Sequence, residues 1–249
     1  MKFFDLSKQY QIISKSLDKE LKKNFLTGDF IQGNNVKILE KKLLEFTKST
    51  FCLTCANGTD AIKLALKSLN IKKNSYIIIP SYTWISTASS VIECGLKPLF
   101  CDVNIDTFLI DKENIEETIK FAKKNKLKVG AIISVDLFGN PVDYKAIKKI
   151  CKKENIYFIS DAAQSFGAKI GKAYIGTNYC DILTTSFFPT KTLGCYGDGG
   201  ALFFNNKEVF NKGKTFARNG QNPKGLISSG FNSRLDTLQA TILLEKIKY

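Results

Sequence analysis

Residues 186–200 read SFFPTKTLGCYGDGG, and residues 159–168, a short way upstream, read ISDAAQSFGA. The first stretch holds one lysine, Lys191, in a run that is otherwise apolar, small or turn-forming, and it closes in a glycine-rich turn. No charged residue lies within six positions of Lys191 on either side, whereas most of the 35 lysines sit in pairs or amphipathic runs such as KFAKKNKLK at 120–128. In the second stretch Asp161 ends an apolar, strand-like run, and Gln164 follows it. A lysine in a dry loop, paired with a carboxylate at a strand end, suits pyridoxal-phosphate chemistry. The amine holds the aldehyde as a Schiff base, and the acid keeps the pyridine nitrogen protonated so that the ring accepts electrons.

Outward from this pair, short apolar runs alternate with amphipathic stretches. Strands are expected at 51–55, 76–80, 98–103, 129–136, 156–160, 181–188 and 200–204. Helices are expected at 7–25, 34–48, 58–69, 83–94, 112–125, 143–154, 207–217 and 233–248. Near-continuous apolar strands separated by helices of 10–15 residues predict an α/β fold, a mainly parallel central sheet covered by helices on both faces. No repeat or linker-like tract interrupts the pattern, so residues 1–249 are read as one large domain with an N-terminal helical segment.

Composition removes whole mechanisms. The chain has no histidine, so a Ser-His-Asp triad, a His-activated cysteine and a His-ligated metal are impossible within it. The formal charge is +14, but only Arg218 and Arg234 are arginine. Nucleic-acid readers spend arginine on base edges and phosphates, so this positive field is read as an attractor for small anionic substrates, with no nucleic-acid partner. The seven cysteines are scattered through apolar segments, which suits reduced core residues and a cytoplasmic protein. Cys52 and Cys55 form a lone CxxC in a strand-like run, a better fit to the core than to zinc. No run of about 18 apolar residues predicts a membrane span, and MKFFDLSKQYQ lacks the apolar stretch of a signal peptide.

Further groups belong at the carboxyl ends of the strands, where ligands collect in such a sheet. Gly58 and Thr59 open a helix straight after a strand, which suits either a phosphate or an ordinary helix start. Trp84, the single tryptophan, follows YIIIP and could stack on a planar ring or fill the core. Ser186 precedes Lys191 by five positions and carries a hydroxyl that could meet phosphate.

Together these blocks resemble the sugar aminotransferases of the DegT/DnrJ/EryC1/StrS family, which have the aspartate-aminotransferase-like, type I fold. The likeness runs through FDLSKQY (4–10), GDFIQG (28–33), CANGTDAIKLAL (55–66), IPSYTWISTA (79–88), GLKPLFCDV (95–103), DLFGNPVD (136–143), SDAAQSFGA (160–168), SFFPTKTLGCYGDGGA (186–201) and FNSRLDTLQATIL (231–243). It implies that Lys191 carries pyridoxal 5′-phosphate and shuttles the proton, that Asp161 pairs with the ring nitrogen, and that Gln164 lies near the ring. It implies that Gly58, Thr59 and Ser186 hold the phosphate and that Trp84 stacks on the ring. It implies that Asn232 reaches the cofactor phosphate of the other subunit of a homodimer with shared sites, and that Arg234 approaches the substrate.

The reaction so implied moves an amino group from glutamate to a nucleotide-linked keto sugar for polysaccharide or glycan biosynthesis. The block at 186–200 is most similar to members acting on UDP-linked 3-keto sugars. Two departures stand out: RNGQ at 218–221 replaces a family HGQ, and the chain ends at IKY, inside the helix that leaves the large domain. The C-terminal small domain is therefore expected to be absent. That leaves as the alternative a member that binds cofactor or partner with weak turnover or none.

Overall fold

The computed structural model describes residues 5–249; the first residues of MKFFDLSKQYQ and Phe4 of the FDLSKQY block lie outside them. Two helices lead, α1 (Ser7–Thr27) and α2 (Asn34–Thr47). A regular alternation follows: β1 (Phe51–Cys55), α3 (Gly58–Ser68), β2 (Tyr76–Pro80), α4 (Ser86–Glu93), β3 (Lys97–Cys101), α5 (Lys112–Lys124), β4 (Val129–Val135), α6 (Tyr144–Glu154) and β5 (Tyr157–Asp161). A small hairpin, β6 (Lys169–Ile170) with β7 (Ala173–Tyr174), precedes β8 (Ile182–Ser186), β9 (Gly200–Phe204) and α7 (Lys207–Phe216). A second hairpin, β10 (Gln221–Asn222) with β11 (Gly225–Leu226), leads to α8 (Thr237–Lys246).

Seven strands form one sheet in the order β1-β9-β8-β5-β4-β2-β3. Pairings β2/β3, β2/β4, β4/β5 and β5/β8 are parallel. The expected parallel sheet is thus found, with one antiparallel insertion. β9 runs antiparallel to both neighbours, and Gly200 lies opposite Cys55 on one side and Ser186 on the other. No helix separates β8 from β9, and a strand that returns without a crossover must run antiparallel.

The strands are buried on both faces, as their unbroken apolar sequence demands. Ile77, Ile78 and Ile79 are all fully buried, with Ile78 in the core on one face and Ile77 and Ile79 in the core on the other. Asx residues start the crossover helices. Asn57, Asp111, Asp143 and Asn206 each accept amide hydrogen bonds from the first turn of α3, α5, α6 and α7. Helices α1, α2 and α8 are tied by Thr241, whose Oγ1 accepts from Asn35 Nδ2 and donates to Asn24 Oδ1, each at 2.8 Å.

Two helices begin later than the sequence pattern predicts. α4 starts at Ser86, because the segment before it forms a loop that turns Trp84 outward. α8 starts at Thr237, because residues 231–236 run extended, bridging Arg218 to Asn232 and Ile31 to Asp236. All seven cysteines are buried free thiols, Cys52 and Cys55 among them. Among the described residues no helix is long and apolar enough to cross a membrane, and no cluster of His, Cys, Asp and Glu could hold a metal.

Candidate active site

A cavity of about 360 Å³ opens at the carboxyl ends of the parallel strands. Its wall contains Gly58, Thr59, Trp84, Asp161, Gln164, Ser186 and Lys191. Seven residues singled out along the sequence therefore meet in one place.

Helix α3 aims its N-terminus at the cavity. Asn57 Oδ1 accepts from Asp60 N at 2.8 Å, and the first helical bond runs from Ala61 N to Asn57 O. The amides of Gly58 and Thr59 are left without a protein acceptor among the described residues. Free amides at the positive end of a helix dipole form a ready anion site. Gly58 is required by close approach: a Cβ there would stand 2.7 Å from Ser186 Cβ. That contact brings the Ser186 hydroxyl to the same spot. Trp84 is 75% exposed and lines the cavity, so it is a wall of the cavity, and the core-packing alternative does not hold.

Lys191 rides on the arm between β8 and β9. Its amide donates to Phe188 O at 2.8 Å, Phe187 N donates to Gly199 O at 2.8 Å, and Cys195 N returns to Phe187 O at 2.8 Å. The base of the arm is locked to α8, where Gln239 Oε1 accepts from Tyr196 N at 3.0 Å and Lys246 Nζ donates to Gly194 O at 2.6 Å. The lysine is thus partly buried on a pinned loop.

Asp161 ends β5 and is buried. Burial pushes its carboxyl from 3.8 up to about 6, against the Ala163 amide and the Lys191 charge, which pull it down. Its Oδ1 accepts from Ala163 N at 3.0 Å.

Beside it lies a second acid that the sequence reading missed. Asp136 is fully buried and accepts from Val142 N (3.1 Å), Tyr144 Oη (2.7 Å) and Ser165 Oγ (2.7 Å). Burial raises it as well, to about 6, against the pull of those donors. Its own amide donates to Asp161 O at 3.0 Å. Asp136 therefore ties the loop after β4 to the turn that presents Gln164, whose Oε1 accepts from Phe138 N at 2.8 Å. The only sequence signal was an acid at the end of an apolar run, the same signal that marked Asp161. Asn57 and Asp198 also line the cavity.

Asn232 and Arg234 are not part of this wall. Asn232 is exposed, and Arg234 lines a different, polar cavity with Arg218 and Lys214.

The sheet order, the helix N-terminus and the lysine arm define the fold of pyridoxal-phosphate-dependent aminotransferases, and solved structures agree. A DegT DnrJ EryC1 StrS aminotransferase from Brucella abortus superposes with a TM-score of 0.95 at 38% identity, covering 100% of this chain and 67% of that one. NtdA from Bacillus subtilis with bound cofactor PMP gives 0.90 at 30% identity, over 100% and 56%. The chain belongs to the DegT/DnrJ/EryC1/StrS aminotransferase family, whose model matches residues 11–249. It is 40% identical to the UDP-2-acetamido-2-deoxy-3-oxo-D-glucuronate aminotransferase of Pseudomonas aeruginosa, over 100% of this chain and 67% of that protein. It is 36% identical to a UDP-N-acetyl-3-dehydro-alpha-D-glucosamine 3-aminotransferase of Acidithiobacillus ferrooxidans, over 87% and 57%. The chain spans about two thirds or less of the length of these relatives.

Proposed function

We propose that this chain is the cofactor-binding large domain of a pyridoxal-phosphate-dependent aminotransferase that moves an amino group from glutamate to a nucleotide-linked keto sugar. The observation that carries this reading is the meeting of Lys191, Asp161 and the free amides of Gly58 and Thr59 in one cavity. These residues fit the cofactor. The unpartnered amides and the Ser186 hydroxyl suit its phosphate, and the buried Asp161 carboxyl at the strand end suits a protonated ring nitrogen.

Each residue then has one task. Gly58, Thr59 and Ser186 hold the phosphate, and Trp84 covers one ring face. Asp161 keeps the proton on the ring nitrogen. Gln164, steadied by the Phe138 amide, orients the polar edge of the ring. Lys191 Nζ would hold the cofactor covalently and, once free, would serve as the amine that carries the transferred proton. The bound cofactor supplies the electron sink.

Two relatives named for UDP-linked 3-oxo or 3-dehydro sugars support a UDP-linked 3-keto sugar as acceptor, in polysaccharide or glycan biosynthesis. Asn232 and Arg234 lie outside the cavity of their own chain, which leaves them free to serve the cavity of a second copy in a homodimer.

The test is reconstitution with pyridoxal phosphate, borohydride reduction and peptide mapping. The label is expected on Lys191, together with glutamate-dependent loss of the visible absorption band. A label on another lysine, or none, rejects the reading.

A further inference from the structure

Three aromatic side chains stand in the open just beyond the cavity, toward the β3 edge of the sheet. Tyr82, Phe108 and Phe138 come from the loops after β2, β3 and β4 and are 52%, 41% and 69% exposed. The rings of Tyr82 and Phe108 lie 5.5 Å apart at 43°. Those of Phe108 and Phe138 lie 6.2 Å apart, edge to face at 89°. The strip joins the cavity at both ends. Tyr82 adjoins Thr83 and Trp84 of the wall, and the Phe138 amide is bound to Gln164.

The backbone is held against its preference to make this strip. Phe108 and Phe138 both adopt the left-handed region, at φ 59° and 57°, which bulky residues avoid. The loop after β3 is fastened in that shape. Asn104 Oδ1 accepts from Asp106 N and Thr107 N at 2.9 and 3.2 Å, and Phe108 N donates to Asn104 O at 2.8 Å. Strain that sets exposed rings in fixed positions beside a cavity is the kind stored at functional sites.

The occupant follows from the shape of the substrate. In a nucleotide-linked sugar the base is separated from the reacting carbon by a ribose and a diphosphate. It must therefore lie outside the cavity that encloses that carbon, along the carboxyl edge of the sheet. Aromatic faces stack on any base, in keeping with relatives named for UDP-, dTDP- and GDP-linked compounds.

We propose that Tyr82, Phe108 and Phe138 form a stacking shelf for the nucleobase of the substrate. This rests on the nucleotide-sugar reading above. The test measures UDP and inorganic pyrophosphate binding by calorimetry, on the full chain with and without cofactor. The variants are Phe108→Gly and Phe138→Gly, which remove the ring while keeping the backbone at ease, and Phe108→Tyr, which restores a ring. Each glycine variant is expected to weaken UDP binding roughly tenfold and to leave pyrophosphate binding and cofactor loading unchanged; Phe108→Tyr is expected to bind UDP like the parent. No UDP binding by the parent, or UDP affinity unchanged in the glycine variants, overturns the shelf. So does a loss of self-association in sedimentation without loss of UDP affinity, which would assign the rings to a contact between copies. A chain that binds UDP through these rings but never loads cofactor on Lys191 sinks the aminotransferase reading and leaves the shelf standing.

Discussion

Replacing Asp161 with asparagine is expected to make the cofactor-free protein more stable at pH 8. The carboxyl is buried and pushed from 3.8 up to about 6, and each tenfold change in proton affinity corresponds to about 1.4 kcal/mol. Holding the charge in the fold thus costs roughly 3 kcal/mol at pH 8. The sign follows from the direction of the shift. A folded-state value above the unfolded one gives full stability below the unfolded pKa, near 4, and loses it as pH rises through the folded value, near 6. Asparagine keeps the oxygen that accepts the Ala163 amide and removes the charge. The gain should therefore be roughly 3 kcal/mol at pH 8 and about half that at pH 5. For a chain of this size that corresponds to a melting shift of roughly 6–12 °C at pH 8. The assay is a pair of urea and thermal melts at the two pH values on protein stripped of cofactor. In the same variant, transamination by reconstituted protein should fall at least about a hundredfold, because the ring nitrogen loses its counter-charge. A variant no more stable than the parent at pH 8, or equally stabilised at both pH values, would refute the account of Asp161 as a charge held at a cost for the cofactor.

Gly58→Ala places a Cβ 2.7 Å from Ser186 Cβ, so helix α3 must back away from the arm; cofactor affinity, measured by fluorescence titration, should drop about tenfold or more while the melting temperature falls by only a few degrees. Tyr144→Phe removes one of the three donors to the buried Asp136 and should cost about 1–3 kcal/mol in urea unfolding; an unaltered midpoint would show that the network carries no weight. Asn232→Ala is expected to weaken cofactor binding in a protein that sediments as a dimer, and a monomer that holds cofactor tightly would contradict the shared-site proposal.

The sheet was legible because its strands are buried on both faces, which leaves an unbroken apolar run such as YIIIP whatever the neighbours are. That same property hid the direction of β9, since GALFF looks alike read either way. The sign that could have revealed it was negative: residues 187–199 carry no helical pattern to support a parallel crossover. Lys191 and Asp161 were legible because both break an apolar context. Asp136 breaks one in the same way, but its partners Tyr144 and Ser165 lie on other elements, so nothing local distinguished it. Phe108 and Phe138 were invisible as site residues because left-handed backbone is foreshadowed by glycine or asparagine and not by phenylalanine.

The antiparallel strand β9 also fixes when the site can exist during synthesis. The amides of Gly58 and Thr59 are made early in the chain, yet β1, which delivers them, enters the sheet only by pairing with β9. Until residues 200–204 have emerged, β1 has no partner strand, and α3 can lean only on α4 and β8. Contacts between residues so far apart in sequence close slowly. On the proposed roles of Gly58, Thr59 and Ser186, the cradle is expected to be complete only once Gly200 has joined Cys55 to Ser186, so that cofactor capture would report a finished sheet.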